Sequence, residues 1–196
     1  IVNDPVLMRI GENQWWMALA NNDAGLYALG AAINSGLNVK VTEPEVYPVQ
    51  VQGPKSIKVM QTLFGDKILQ VRYYFTLETD LDGIPVVISR TGWTGEMGYE
   101  IYLRDPSRGN ELWERIMEAG KVHNIRVIAP CEARKIEAGI LNHGQDMTIE
   151  NNPYEIMGFE RLVEEQSADY IGKQALARIK QEGVKKRLVG IKVEME

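Results

Sequence analysis

The order of strand and helix signals limits this chain more than any other feature, because the two do not alternate regularly. Pro5–Ile10 and Trp15–Ala20 carry strand-forming residues on either side of a Gly11–Gln14 turn, and they predict a hairpin. A helix follows from Asp23 to about Asn34. Leu26, Leu29, Ala32 and Ile33 recur at helical spacing, and Gly36 ends the run. Val39–Thr42 and Tyr47–Val51 read as strands, Gly53-Pro54 breaks the second, and Ser56–Phe64 predicts a short helix. Val71–Leu77 and Ile84–Ser89 predict another hairpin across Asp82-Gly83, a strong turn dipeptide, with Tyr99–Leu103 as a further strand. Asp105-Pro106-Ser107 opens a helix that runs to about Gly120. Helices are also expected over roughly Cys131–Leu141 and Ile171–Lys180, residues 144–169 read as irregular, and Arg187–Val193 reads as a closing strand. Such an order excludes a doubly wound parallel sheet and implies an α+β fold of mixed antiparallel sheets with flanking helices. The divisions expected are a ββαββα part over 1–70, a second α+β part over 71–184, and over 185–196 the first strand of a domain that is not present.

A length of 196 residues is enough to bury a core without staples. It has to be, because Cys131 is the single cysteine. No intrachain disulfide and no cysteine-built zinc or iron–sulfur site is possible, and His123 and His143 fit no metal-ligand spacing, so no metal is expected. With 22 basic and 27 acidic residues the net charge is −5, which offers nucleic acid no electrostatic footprint. Lys185-Lys186-Arg187 reads as a solvated run. No apolar stretch approaches the roughly 18 residues of a membrane span. The expected location is therefore cytoplasmic, or an organelle matrix, with neither nucleic acid nor membrane as partner.

Chemistry concentrates in Ser89–Glu100, where Gly92, Gly95 and Gly98 fall between two apolar strands. The spacing fits neither a phosphate loop nor a dinucleotide fingerprint. What the segment offers is a carboxylate, Glu96, and an aromatic plate, Trp93, on one turn. A flat heterocycle with adjacent N–H donors needs that pair, one to accept two parallel hydrogen bonds and the other to stack. On composition alone, a glycine-rich hairpin with a solvated glutamate explains the segment better. Other residues carry little signal by themselves. Asp4 precedes Pro5 and reads as a turn residue, Gln52-Gly53-Pro54 as a structural strand-to-helix turn, and Arg134 with Glu137 as a surface ion pair. Trp15, Trp16, Tyr73 and Tyr74 read as strand aromatics that alternate between core and outer face.

Taken together, several segments resemble one family in order along the chain. Thr91-Gly-Trp-Thr-Gly-Glu-Met-Gly-Tyr-Glu100 resembles the T-G-Y-T-G-E-x-G-Y-E signature of the aminomethyltransferase (T-protein) of the glycine cleavage system. Asn3-Asp4-Pro5-Val6 is similar to its (D/N)-D-x-(V/I) strand, and Val51-Gln52-Gly53-Pro54 to its V-Q-G-P. Lys135–Gly139 is similar to R-L-E-A-G, His143–Met147 to Y-G-Q-(D/E)-M, and Tyr170–Leu176 to F-I-G-(R/K)-x-A-L. The resemblance implies a folate-binding fold, shortened at both ends, and transfer of an aminomethyl or methyl group from a small donor to tetrahydrofolate. It implies that Asp4 lies close to the reactive nitrogens of folate and that Glu96 grips the pterin within an enclosed cavity. Trp93 and Tyr74 are candidates for stacking. Cys131 stands where the glycine-cleavage branch has an arginine that contacts folate, and Arg134, one helical turn on, is the candidate replacement. Asn3–Val6, Trp15-Trp16 and Asn152–Gly158 lean toward a sister branch, the dimethylsulfoniopropionate demethylases, whereas the glycine bend keeps the T-protein pattern. A T-protein implies a lipoyl carrier protein as partner and a demethylase implies a free small molecule. A folate-binding protein without catalysis is the reading from a different class.

Overall fold

The computed structural model describes residues 1–19, 23–163 and 167–194, and forms two compact units. The larger, Pro5–Ile140, holds β1 (Val6–Gly11), β2 (Gln14–Ala18), α1 (Asp23–Asn34), β3 (Tyr47–Gln52), α2 (Ser56–Phe64), β4 (Thr76–Leu81), β5 (Ile84–Ser89), β6 (Gly98–Leu103), α3 (Gly109–Gly120) and α4 (Glu132–Glu137). The smaller joins Ile1–Asp4 to the residues from Leu141 onward, with short 3₁₀ turns at Pro153–Glu155 and Glu160–Val163 and one longer helix, α5 (Lys173–Glu182). Ala20, the last residue of the strand expected over Trp15–Ala20, lies outside the described residues.

In the larger unit β1 and β2 form an antiparallel hairpin, and the other four strands form an antiparallel sheet in the order β3-β6-β5-β4. Central β5 is apolar almost throughout because both its faces are covered. Ile84, Val86 and Ile88 join Tyr99, Ile101 and Leu103 of β6 in packing against Val59, Met60 and Phe64 of α2 and Leu112 and Ile116 of α3. On the opposite face Val87 and Tyr102 meet Met8 of the hairpin, and the Trp16 ring stands edge-on to Tyr102 at 6.0 Å. The β4–β5 turn forms as its dipeptide predicts. Asp82 and Gly83 both take positive φ, 49° and 82°, and the Asp80 carboxylate accepts from the Gly83 N–H at 2.9 Å.

Several expectations differ. The parts expected over 1–70 and 71–184 share one sheet, since β3 of the first pairs with β6 of the second along six residues. Such a non-local pairing leaves no local trace in sequence. Val39–Thr42 forms no strand, and Val39 is exposed. The strand expected from Val71 begins at Thr76, because Tyr74 adopts a left-handed φ of 64° and Phe75 N–H bonds back to the Arg72 carbonyl at 2.9 Å. The helix expected over Cys131–Leu141 is only α4. Gly139 at φ 67° ends it, and Ile140 N–H returns to the Lys135 carbonyl at 3.0 Å. Arg187–Val193 is not a strand. Val189, Ile191 and Val193 are exposed, and Leu188 N–H bonds instead to the Glu155 carbonyl at 2.8 Å.

Candidate functional site

The bend between β5 and β6 is built around the side chain of Gln52, at the end of β3. Register places Gln52 opposite Gly98, and its amide lies in the space that side chains at Gly92 and Gly98 would occupy. A Cβ on Gly92 would meet the Gln52 Oε1 at 2.0 Å, and one on Gly98 would meet its Cδ at 2.3 Å. Gln52 Nε2 donates to the Thr91 carbonyl at 3.1 Å and the Tyr99 carbonyl at 3.3 Å, and Oε1 accepts from the Thr94 hydroxyl at 2.9 Å. That hydroxyl in turn accepts from the Glu96 N–H at 3.2 Å. The far shoulder is pinned at Met97, whose carbonyl accepts from Gly53 N–H at 2.8 Å and from the Ser56 hydroxyl at 3.0 Å. At the near shoulder the buried Thr91 hydroxyl donates to the Glu100 carboxylate, which also accepts from Gln50 Nε2 at 2.9 Å.

The bend thus presents Trp93, half-buried, and Glu96, exposed. Two further elements meet it. Gly95 takes φ 73° and approaches the end of α4 so closely that a Cβ on it would fall 2.4 Å from the Cβ of Ala138. Tyr74 N–H donates to the carbonyl of Arg90, at the start of the bend, at 3.2 Å, while the exposed Tyr74 ring stands T-shaped to Tyr73 at 4.4 Å. Arg134 is half-buried on α4, one turn before Ala138, whose N–H bonds to the Arg134 carbonyl at 3.0 Å. The ion pair seen along this helix joins Glu132 to the buried Lys135 at 3.2 Å, rather than Arg134 to Glu137.

Residues 1–166 match the family described as the GCVT N-terminal domain. The chain belongs to this family. It is 36% identical over 177 residues, 90% of the chain, to dimethylsulfoniopropionate demethylase DmdA of Ruegeria pomeroyi, of which it covers 48%. It is 35% identical over 153 residues, 76% of the chain, to an aminomethyltransferase of Thermoanaerobacter pseudethanolicus, of which it covers 41%. The chain therefore spans about half the length, or less, of these curated relatives. Among solved structures, the glycine cleavage system aminomethyltransferase T of Bartonella henselae superposes with a TM-score of 0.69 over 93% of this chain and 50% of that one, at 22% identity, a likeness of fold.

Within this GCVT domain Trp93 and Glu96, with the backbone of Tyr74 and the Arg134 helix, gather around one bend. Asp4 belongs to the smaller unit. It is an exposed residue whose carboxyl is partly desolvated. That desolvation pushes its pKa up, and Asp146 adds to the rise, while His143 and nearby backbone N–H groups oppose it. The His143 Nε2 lies 3.0 Å from the Ile1 carbonyl, and its Nδ1 is buried without a hydrogen-bond partner. A cleft of about 330 Å³ in the same unit, bordered by Tyr154, Met157, Ile179 and Leu188, includes none of Asp4, Tyr74, Trp93, Glu96 and Arg134. Among the described residues no group of His, Cys, Asp and Glu is placed to hold a metal ion, and no helix is long and apolar enough to cross a membrane.

Glu96 is exposed, so the enclosed cavity expected around it is not formed by these residues. The sequence assigns no functional role to Gln52 or Glu100, although both lie in matched motifs. The usable signal for Gln52 was its place at a strand end, on the face opposite Val51, but its partners at 91, 94 and 99 appear only once β3 pairs with β6.

Proposed function

We propose that this GCVT domain serves transfer of a one-carbon unit from a small donor to tetrahydrofolate, with Glu96 as pterin anchor and Asp4 at the reacting end. The observation that carries the reading is the bend itself: a carboxylate and an aromatic ring displayed on a backbone already fixed by Gln52, Thr94, Ser56 and Ala138. A pterin edge offers adjacent N–H donors and a flat face, and this pair fits both. Glu96 would accept from the N–H edge, Trp93 and Tyr74 would stack, and Arg134 would serve a folate oxygen in place of the arginine replaced at Cys131. Folate supplies the nitrogen that receives the one-carbon unit. Enclosure of Glu96 requires surface that these residues alone do not provide.

Asp4 would orient that nitrogen and stabilise positive charge at the moving carbon. It does so as the carboxylate. Since partial burial raises its pKa, activity should fall as the pH drops through a value raised above that of an ordinary aspartate. Asp4→Asn is expected to lower turnover about 10²-fold with little change in folate affinity, and to abolish that acid limb. Equal turnover in a steady-state assay of the full-length protein would remove the role.

Likeness to relatives supports two classes of donor. Similarity to aminomethyltransferases extends over as much as 99% of the chain, at 31% identity. Similarity to the protein named dimethylsulfoniopropionate demethylase is higher in identity, 36% over 90% of the chain. It supports a free sulfonium or methylated amine. The bend's T-protein pattern supports an aminomethyl group delivered by a lipoyl carrier. A panel of dimethylsulfoniopropionate, methylated glycines and aminomethyl-lipoyl carrier protein, each with tetrahydrofolate, separates these. Folate binding with no turnover of any donor would leave a binding or regulatory protein.

A further inference from the structure

We propose that Gln52 is a positioning residue for the pterin-binding carboxylate, acting on the ligand only through Glu96. The inference rests on the reading that Glu96 holds the pterin, and goes beyond it by naming what holds Glu96. Gln52 lies at the end of a different strand, yet every polar atom of its side chain is spent on the bend. One nitrogen serves two carbonyls, Thr91 and Tyr99, and the oxygen takes the Thr94 hydroxyl. The chain of bonds then runs without a gap to the anchor: Glu96 N–H to Thr94 Oγ1, and Thr94 O–H to Gln52 Oε1. A side chain at Gly92 or Gly98 would displace the amide from these bonds, because the amide occupies that space.

Only a primary amide of this length satisfies the site. Glutamate has the same reach, but once ionised it presents oxygens, with no donor, to two carbonyls. Asparagine is one methylene short. Leucine leaves the two carbonyls and the Thr94 hydroxyl without their partner. Two glycines and a threonine hydroxyl fitted to one glutamine make a template, and a template matters to a bidentate contact whose strength depends on direction.

The test is a double-mutant cycle on the full-length protein, read by calorimetric titration with tetrahydrofolate. Gln52→Glu is expected to weaken binding about tenfold in the native background and less than about twofold in the Glu96→Ala background. Thr94→Val interrupts the same chain without touching Gln52 and keeps the test open should Gln52→Glu not fold. It should show the same dependence on Glu96, with Thr94→Ser restoring native affinity. Equal losses in both backgrounds would overturn the positioning role while leaving Glu96 as anchor. No loss from Glu96→Ala itself would overturn both readings.

Discussion

Truncation of Ile88 to alanine is expected to cost about 2–5 kcal/mol, the upper range for a buried aliphatic side chain. Ile88 is 0% exposed near the end of the central strand β5, between Leu77 of β4 and Ile101 of β6 in register, on the face that α2 and α3 cover. Its neighbours are held by ladders on both sides, so they cannot collapse into the space left behind, and the cavity penalty adds to the lost transfer energy. Urea unfolding should show a lower midpoint at unchanged slope. Thr76→Ala, at the start of edge strand β4, is the control, since Thr76 is only half-buried. A loss below about 1 kcal/mol at Ile88 would mean that the sheet is not the core of the unit.

The second large effect is expected at Gly95. Alanine there is penalised twice. A φ of 73° costs an L-residue about 1–2 kcal/mol, and the added methyl would lie 2.4 Å from the Ala138 Cβ and 3.5 Å from its Cα. The 3.5 Å approach is ordinary contact, but the Ala138 Cβ is fixed by its backbone and has no rotamer to turn away into, so the bend or the end of α4 must move, at about 1–3 kcal/mol for such overpacking. Gly95→Ala should therefore lower stability by about 2–5 kcal/mol and weaken folate binding with it. Adding Ala138→Gly removes the steric part only. The pair should recover part of the loss and never all of it. Full recovery would assign the cost to contact alone. No recovery would mean that α4 does not abut the bend.

What sequence reading reached and what it missed divide along the range of the interactions. α1 and α2 end where their apolar spacing and flanking glycines place them, Asp23–Asn34 and Ser56–Phe64, and the Asp82-Gly83 turn forms as its residues dictate. Each is settled by residues within a turn or two. The β3–β6 ladder is not, since it joins Tyr47–Gln52 to Gly98–Leu103 across nearly fifty residues. Without that ladder, Gln52 reads as the start of a strand-to-helix turn, and the spacing of Gly92 and Gly98 has no visible cause. Tyr74 shows the same limit in another form. Its neighbours Val71–Phe75 have strand composition, yet the Tyr74 N–H bond to Arg90 and its left-handed φ bend the chain out of the sheet. Glu96 was visible from the start as a carboxylate among glycines. Composition made it a solvated glutamate and the ordered motifs made it a ligand, and the structure shows an exposed side chain on a rigidly specified turn.

Because Glu96 is exposed and contributes to none of the core, replacing it isolates its chemistry from its structural surroundings. Calorimetric titration of tetrahydrofolate into the full-length protein and its Glu96→Ala variant is the direct measurement. Loss of a charge-assisted contact should weaken affinity about 10- to 100-fold with the melting temperature unchanged. Identical affinity in the two proteins would contradict the account, leaving the GCVT fold with some other use for its bend.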